Sequence, residues 1–222
     1  MEGNMSTEMT KQHIKNFILD VDGTLWNTTE VVANAWNRAI IADGNSSVRV
    51  DAEILKTQFG KPMDVIAANL FTDVTPEIRE NLLEECCKEE QAALKESTEN
   101  LRYPLVRETM KKLWENGSNL YIVSNCQSGY IELVLEKNEL AEFIEDYECF
   151  GNTKKSKAEN IDFICKRNHL KKEETVYVGD TNGDRAAAKE AGISFIYAAY
   201  GFDKVENAAY RIETFSDLIH IS

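Results

Sequence analysis

Asn16–Glu30 reads NFILDVDGTLWNTTE: an apolar run leads straight into two carboxylates one residue apart, Asp20 and Asp22, and the chain then turns on Gly23. Three consecutive apolar residues bounded by a turn signal read as a strand buried on both faces. Two acids side by side repel each other unless a cation, a proton or an exposed surface relieves them. Asp-x-Asp-Gly also occurs in ordinary surface turns, so the meaning of this stretch depends on what the rest of the chain places beside it.

Similar runs recur downstream: NLYIVSN (119–125), YECFG (147–151), TVYVGD (175–180) and ISFIYAAYG (193–201). Helical patterns lie between them at 107–116, 128–138, 156–168 and 184–191, with Gly117 and Gly192 where helix C-caps are expected. Strand and helix alternating in this way predict an α/β fold, a doubly wound, Rossmann-like parallel sheet with helices on both faces. One region breaks the alternation. Between Thr28 and Leu101 no strand pattern is evident, and helices are predicted at 30–43, 51–59, 62–70 and 76–97, the last with Thr75 as N-cap and Pro76 at its first position. The expected organisation is a core of residues 14–27 and 102–222 with a small all-helical cap, 28–101, inserted after the first strand. WNTTE and NLRYP form the hinges.

The 222 residues are 43% hydrophobic and 28% charged, enough for one ample core with a modest second unit. A net charge of −13 and a pI near 4.8 argue against nucleic acid or an anionic membrane as partner. Five cysteines without Cys-x-x-Cys spacing suggest neither a disulfide framework nor a zinc site, and a reducing cytoplasm is expected. The start, MEGNMSTEMTKQHIK, lacks the apolar segment of a signal peptide and reads as a tail, with Met5 or Met9 as alternative starts.

In an open parallel sheet, ligands bind beyond the carboxyl ends of the strands where the strand order reverses. Three predicted strands end in polar residues there: Asp20 and Asp22, then Ser124 and Asn125, then Asp180 with Asp184, the last also a candidate N-cap for the helix RAAAKEA. Carboxylates gathered at one sheet edge require a cation. Oxygen donors without His or Cys select a hard ion, Mg2+ first.

These motifs, DVDGT (20–24), VSN (123–125), a lysine in KKSKAEN (154–160) and GDTNGD (179–184), in that order, resemble the haloacid dehalogenase superfamily of phosphohydrolases. The helical insertion after the first motif is similar to the small cap of its phosphoglycolate phosphatase-like and β-phosphoglucomutase-like branch. The resemblance implies a Mg2+-dependent phosphomonoester hydrolase. Asp20 would be the nucleophile that forms an aspartyl-phosphate, and Asp22 the acid that protonates the leaving oxygen and then deprotonates water. Asp20, the backbone carbonyl of Asp22, Asp180 and Asp184 would hold the metal, Asp184 directly or through water. Ser124, the backbone N–H of Asn125 and a lysine would steady the phosphoryl oxygens, and Thr24 would steady Asp22 or the turn. Lys157 fits the lysine role by its place at a helix start, and Lys154 and Lys155 are its competitors.

Lys61, in the loop TQFGKPMD (57–64), is a candidate for a carboxylate or second phosphate on the substrate; an exposed lysine before a helix is the ordinary alternative. Asn27, Trp26 and Trp36 are candidate cleft residues that core packing would equally explain, and Cys126 reads as an inert packed thiol. The expected partner is a small phosphate ester, phosphoglycolate first, then sugar phosphates and nucleoside monophosphates, and the expected assembly is a monomer or homodimer. The alternatives are a sugar-phosphate mutase and a catalytically idle phosphate-binding relative.

Overall fold

The computed structural model describes residues 14–221, so the N-terminal tail reading lies outside the described residues. Six parallel strands, β1 (Asn16–Leu19), β2 (Asn119–Ser124), β3 (Ile144–Cys149), β4 (Thr175–Gly179), β5 (Ser194–Ala198) and β6 (Tyr210–Ile212), form one sheet in the order β3-β2-β1-β4-β5-β6. The order reverses at β1, which lies between β2 and β4, so the carboxyl ends of these three strands share one crevice.

Side-chain alternation assigns each strand residue to a layer. Ile18, Tyr121 and Tyr177 face α8 (Lys157–Arg167) and α9 (Asn182–Ala191), where Ile161, Ile164 and Ala188 cover them. Phe17, Leu19, Ile122 and Val178 face the other layer, with Met110 and Leu113 of α5 (Val106–Glu115) and Ile131 and Val134 of α6 (Tyr130–Asn138). Both faces are therefore dry, and the central strands carry unbroken apolar runs.

The insertion after β1 is all helical: α1 (Thr29–Asp43), α2 (Ala52–Lys56), α3 (Met63–Leu70) and α4 (Pro76–Glu96). Thr75 caps α4 through the Ile78 N–H, with Pro76 in its first turn as expected. Trp36 of α1 is fully buried against Phe71, their ring centroids 6.4 Å apart. The two connecting segments pair with each other, Asn27 N donating to Leu101 O at 2.9 Å and Tyr103 N to Leu25 O at 3.0 Å. Among the described residues, no helix is long and apolar enough to cross a membrane.

Several expected boundaries are corrected. β3 begins three residues earlier than the apolar run suggests and ends at Cys149, while Phe150–Thr153 form the short helix α7. It is an edge strand, and its exposed and half-buried Glu145 and Asp146 hide the strand from a search for apolar residues. β5 is shorter than ISFIYAAYG, and α2 ends at Lys56. The edge strand β6 was not expected. Asp184 is not the N-cap of α9: Thr181 is, accepting from Asp184 N, and Asp184 closes the capping box from the third position.

Candidate active site

Asp20 follows β1, Asp180 follows β4, and Asp184 enters from the first turn of α9. One oxygen from each lies within 4.8 Å of the others, and all three residues are buried. Lys157, immediately after the N-cap Ser156 of α8, supplies the balancing charge: its Nζ donates to Asp20 Oδ1 at 2.9 Å and to Asp184 Oδ1 at 2.5 Å. Of the three candidate lysines this one reaches the acids, because Lys154 and Lys155 lie instead over the rings of Phe150 and Phe163. Burial lowers the Lys157 ammonium, but the Asp184 and Asp20 carboxylates outweigh it and hold its pKa above the usual lysine range.

Burial pushes the Asp20 carboxyl up to about 7 against the pull of Lys157, with Asp184 and Asp22 adding to the rise. Asp180 is likewise pushed well above the carboxylate range by burial and by Asp184. Tyr177 also touches Asp20, its hydroxyl 3.3 Å from Oδ1 and 2.7 Å from the Val123 carbonyl. The other Asp20 oxygen, Oδ2, is buried and accepts no hydrogen bond. An orphaned carboxylate oxygen beside two further acids is what a hard cation would satisfy, so this donor set fits Mg2+. The second Asp184 oxygen is occupied by the N–H groups of Asp180 and Thr181 and by the Thr181 hydroxyl.

Close packing moulds the cradle. Gly23 has φ +82°, and a Cβ there would lie 2.2 Å from Asp180 Oδ2; a Cβ at Gly201 would lie 2.2 Å from the Asp180 Cβ. Asp180 Oδ2 accepts the Phe202 N–H at 2.7 Å. The Thr24 hydroxyl, fully buried, donates to Asp180 Oδ1 at 3.4 Å and not to Asp22, because the turn at Gly23 directs it toward β4.

Asp22 takes no place in that acidic cluster. Its Oδ1 accepts from Tyr130 OH at 2.7 Å, Trp26 Nε1 at 3.1 Å and Thr28 Oγ1 at 3.4 Å. Burial pushes its carboxyl up to about 6, and these donors, Tyr130 foremost, restrain the rise. A carboxyl titrating close to neutrality is suited to giving and taking a proton.

Ser124 and Asn125, at the end of β2, line a narrow cavity between core and cap together with Asp22, Lys61, Glu90 and Tyr130. Asn125 Nδ2 donates to the Gly60 carbonyl at 2.7 Å and ties the cap loop to the core. The Lys61 ammonium, half-buried, donates to Gln58 Oε1 at 3.1 Å. Trp36 and Cys126 also line the cavity, and burial raises the Cys126 thiol well above its usual range. Asn27 serves α1 instead, its Oδ1 accepting the Thr29 N–H and hydroxyl.

The sequence reading missed Tyr130, Tyr177 and Glu90. Each lies on an otherwise apolar or helical face where it reads as packing or as a solvated acid. The available signal was chemical: a buried hydroxyl or carboxylate requires a partner.

Residues 17–198 match the model of the haloacid dehalogenase-like hydrolase family. Among curated relatives, a phosphoglycolate phosphatase of Vibrio parahaemolyticus is 26% identical over 96% of this chain and 98% of its own. Among solved structures, a predicted phosphoglycolate phosphatase from Haemophilus somnus superposes with a TM-score of 0.80 at 20% identity, covering 96% of this chain and 99% of that one. CbbY from Rhodobacter sphaeroides, solved in complex with phosphate, gives 0.77 at 18% identity over 92% and 96%. The chain belongs to the haloacid dehalogenase-like hydrolase family. Within it, the chain is a phosphatase, a phosphoric monoester hydrolase similar to the phosphoglycolate phosphatases.

Proposed function

We propose that the protein hydrolyses a small phosphate monoester with Mg2+ through a phosphoryl group carried on Asp20. The observation that carries this reading is the division of labour between two acids one residue apart. Asp20 lies against Lys157 and the acidic cluster, whereas Asp22 is turned away from it into the hydrogen bonds of Tyr130, Trp26 and Thr28.

Asp20 attacks phosphorus with one carboxylate oxygen while the ester P–O bond breaks, and Asp22 gives its proton to the departing alcohol oxygen. Asp22, now ionised, takes a proton from the water that attacks the acyl phosphate, which releases phosphate and restores both carboxyls. Asp20, Asp180, Asp184 and the Asp22 carbonyl are the residues that would hold the metal, whose charge would offset that of the phosphoryl oxygens. Lys157, Ser124 and the Asn125 N–H complete the oxygen cradle, Thr24 steadies Asp180, and Lys61 stands on the cap side of the cavity. Residues 28–101 act as the cap that excludes water.

Phosphoglycolate heads the substrate panel because relatives bear that name; xylulose-(1,5)bisphosphate, bound in a CbbY structure, brings sugar phosphates next. The test is phosphate release from phosphoglycolate, hexose phosphates, nucleoside monophosphates and an aryl phosphate, each with Mg2+ and with EDTA. Metal-dependent release lost in Asp20→Asn is expected, and substantial turnover by that variant excludes Asp20 as nucleophile.

A further inference from the structure

Glu90 is the buried acid that the chemistry at Asp20 does not use. It lies on α4 with 3% of its surface exposed, lining the cavity that Asp22 and Asn125 also line. Trp36 Nε1 donates to its Oε2 at 2.7 Å and Gln127 Nε2 to its Oε1 at 3.2 Å. Among the described residues no lysine or arginine forms an ion pair with it. The nearby Lys61 ammonium is bonded to Gln58. A buried carboxylate without a cation is costly, and two neutral donors leave acceptor capacity unused on both of its oxygens.

A second observation points the same way. Asn125 is 9% exposed, and its Oδ1 is buried without a hydrogen-bond partner. The orientation of that amide follows from its partner, since Nδ2 faces the Gly60 carbonyl. Two residues that line the cavity beside Asp22, Glu90 on the cap wall and Asn125 on the core wall, thus keep unused acceptor capacity. Such a lining asks for donors, and with Asp22 and Glu90 against the single ammonium of Lys61 its charged groups sum to one negative when all are ionised, which disfavours a further anion.

We propose that Glu90 selects the leaving group: the cavity, about 20 Å3 and room for about one water as the cap stands, opens between cap and core to the alcohol part of the ester, and Glu90 and Asn125 accept hydrogen bonds from its free hydroxyls. The preferred substrate is the phosphate ester of a short polyol, and an ester whose alcohol carries a carboxylate there is disfavoured. This assignment rests on Asp20 as the phosphoryl acceptor, and it reverses the order that the relatives' names give, because the alcohol of phosphoglycolate is itself an anion.

The experiment compares kcat/KM for glycerol 3-phosphate and phosphoglycolate with Mg2+ at about pH 8, above the value of about 7 to which burial pushes the Glu90 carboxyl, in the wild type and in Glu90→Gln. The wild type is expected to favour glycerol 3-phosphate by about tenfold or more, and Glu90→Gln, equal in volume but uncharged, to shrink that ratio by about tenfold. The ratio is insensitive to any fraction of the variant that fails to fold. A wild type that favours phosphoglycolate, or a ratio unchanged by the substitution, overturns the assignment. An aryl phosphate checks the underlying reading separately: if it too is untouched, the phosphatase mechanism fails. The selector is then read by calorimetric titration of both esters into Asp20→Asn, where tighter binding of glycerol 3-phosphate supports it and equal or weaker binding overturns it.

Discussion

Tyr130 and Asp22 stand 108 residues apart in the chain, yet the tyrosine hydroxyl lies 2.7 Å from Asp22 Oδ1. The phenol comes from the first residue of α6 and the carboxyl from the turn after β1, so the proton-transfer group is positioned by the opposite side of the crevice. That bond stabilises the ionised carboxylate. Tyr130→Phe should therefore raise the Asp22 pKa further, by about one unit for a charge-assisted bond of about 1.5 kcal/mol. The pH profile of kcat/KM moves its Asp22 limb upward accordingly, and a profile that keeps its limbs while only its height falls excludes the positioning role.

Lys157 is the cationic member of a buried trio, its Nζ against both Asp20 and Asp184. Removing one partner of a buried ion pair typically costs about 3–5 kcal/mol. Lys157→Met should lower the unfolding free energy by an amount of that order near neutral pH. The loss should be smaller at about pH 5, where Asp20, pushed up to about 7, holds a proton. Denaturant unfolding at the two pH values measures it, and an equal loss at both contradicts the electrostatic origin.

The acids also fix how metal and proton compete. Without metal, Asp20 titrates at about 7 against an ordinary 3.8, Asp22 at about 6 against 3.8, and Glu90 at about 7 against 4.5. Between about pH 4 and 7 the folded state keeps protons that the unfolded chain has already released. Stability in EDTA therefore falls as pH rises through this window. Mg2+ held by the ionised carboxylates would compete with those protons, so the rise in Tm expected with it is larger at pH 8 than at pH 5. Thermal melts at both values with EDTA or Mg2+ decide the matter; a Mg2+ effect independent of pH removes the acidic cluster as its site.

Gly201 offers a substitution aimed at one ligand. An alanine Cβ there would sit 2.2 Å from the Cβ of Asp180. Gly201→Ala must displace the Asp180 side chain or its own loop, and Mg2+ affinity should fall by about tenfold or more. Isothermal titration with Mg2+ reads this, with Gly44→Ala as a control, because that glycine also has positive φ but a methyl group there would meet no atom within 4 Å. Equal affinities in the two variants argue against Asp180 as a ligand.

The sequence made the sheet legible where both faces are covered, since β1, β2 and β4 carry continuous apolar runs. It concealed the edges. β3 exposes Glu145, and β6 pairs over only three residues, so neither shows the apolar signature of a buried strand. The acids at the strand ends were legible because a turn needs at most one of them. Tyr130 and Glu90 were not, because their roles depend on which neighbour the fold brings to them: Asp22 to the phenol, Trp36 and Gln127 to the carboxylate. Asp184 was legible as a capping residue, but its partner Thr181, which takes the N-cap position, was not.

The Lys157 bridge has a consequence for the order in which ligands arrive. Three carboxylates and one ammonium leave the cluster two units negative when all are ionised, which is the charge that one divalent ion cancels. A phosphate dianion approaching before the metal meets a site of its own sign; one approaching afterwards meets neutrality. Where the acids are ionised, electroneutrality thus favours metal first and ester second, and a monovalent ion of the same size would leave the site one unit negative toward the ester.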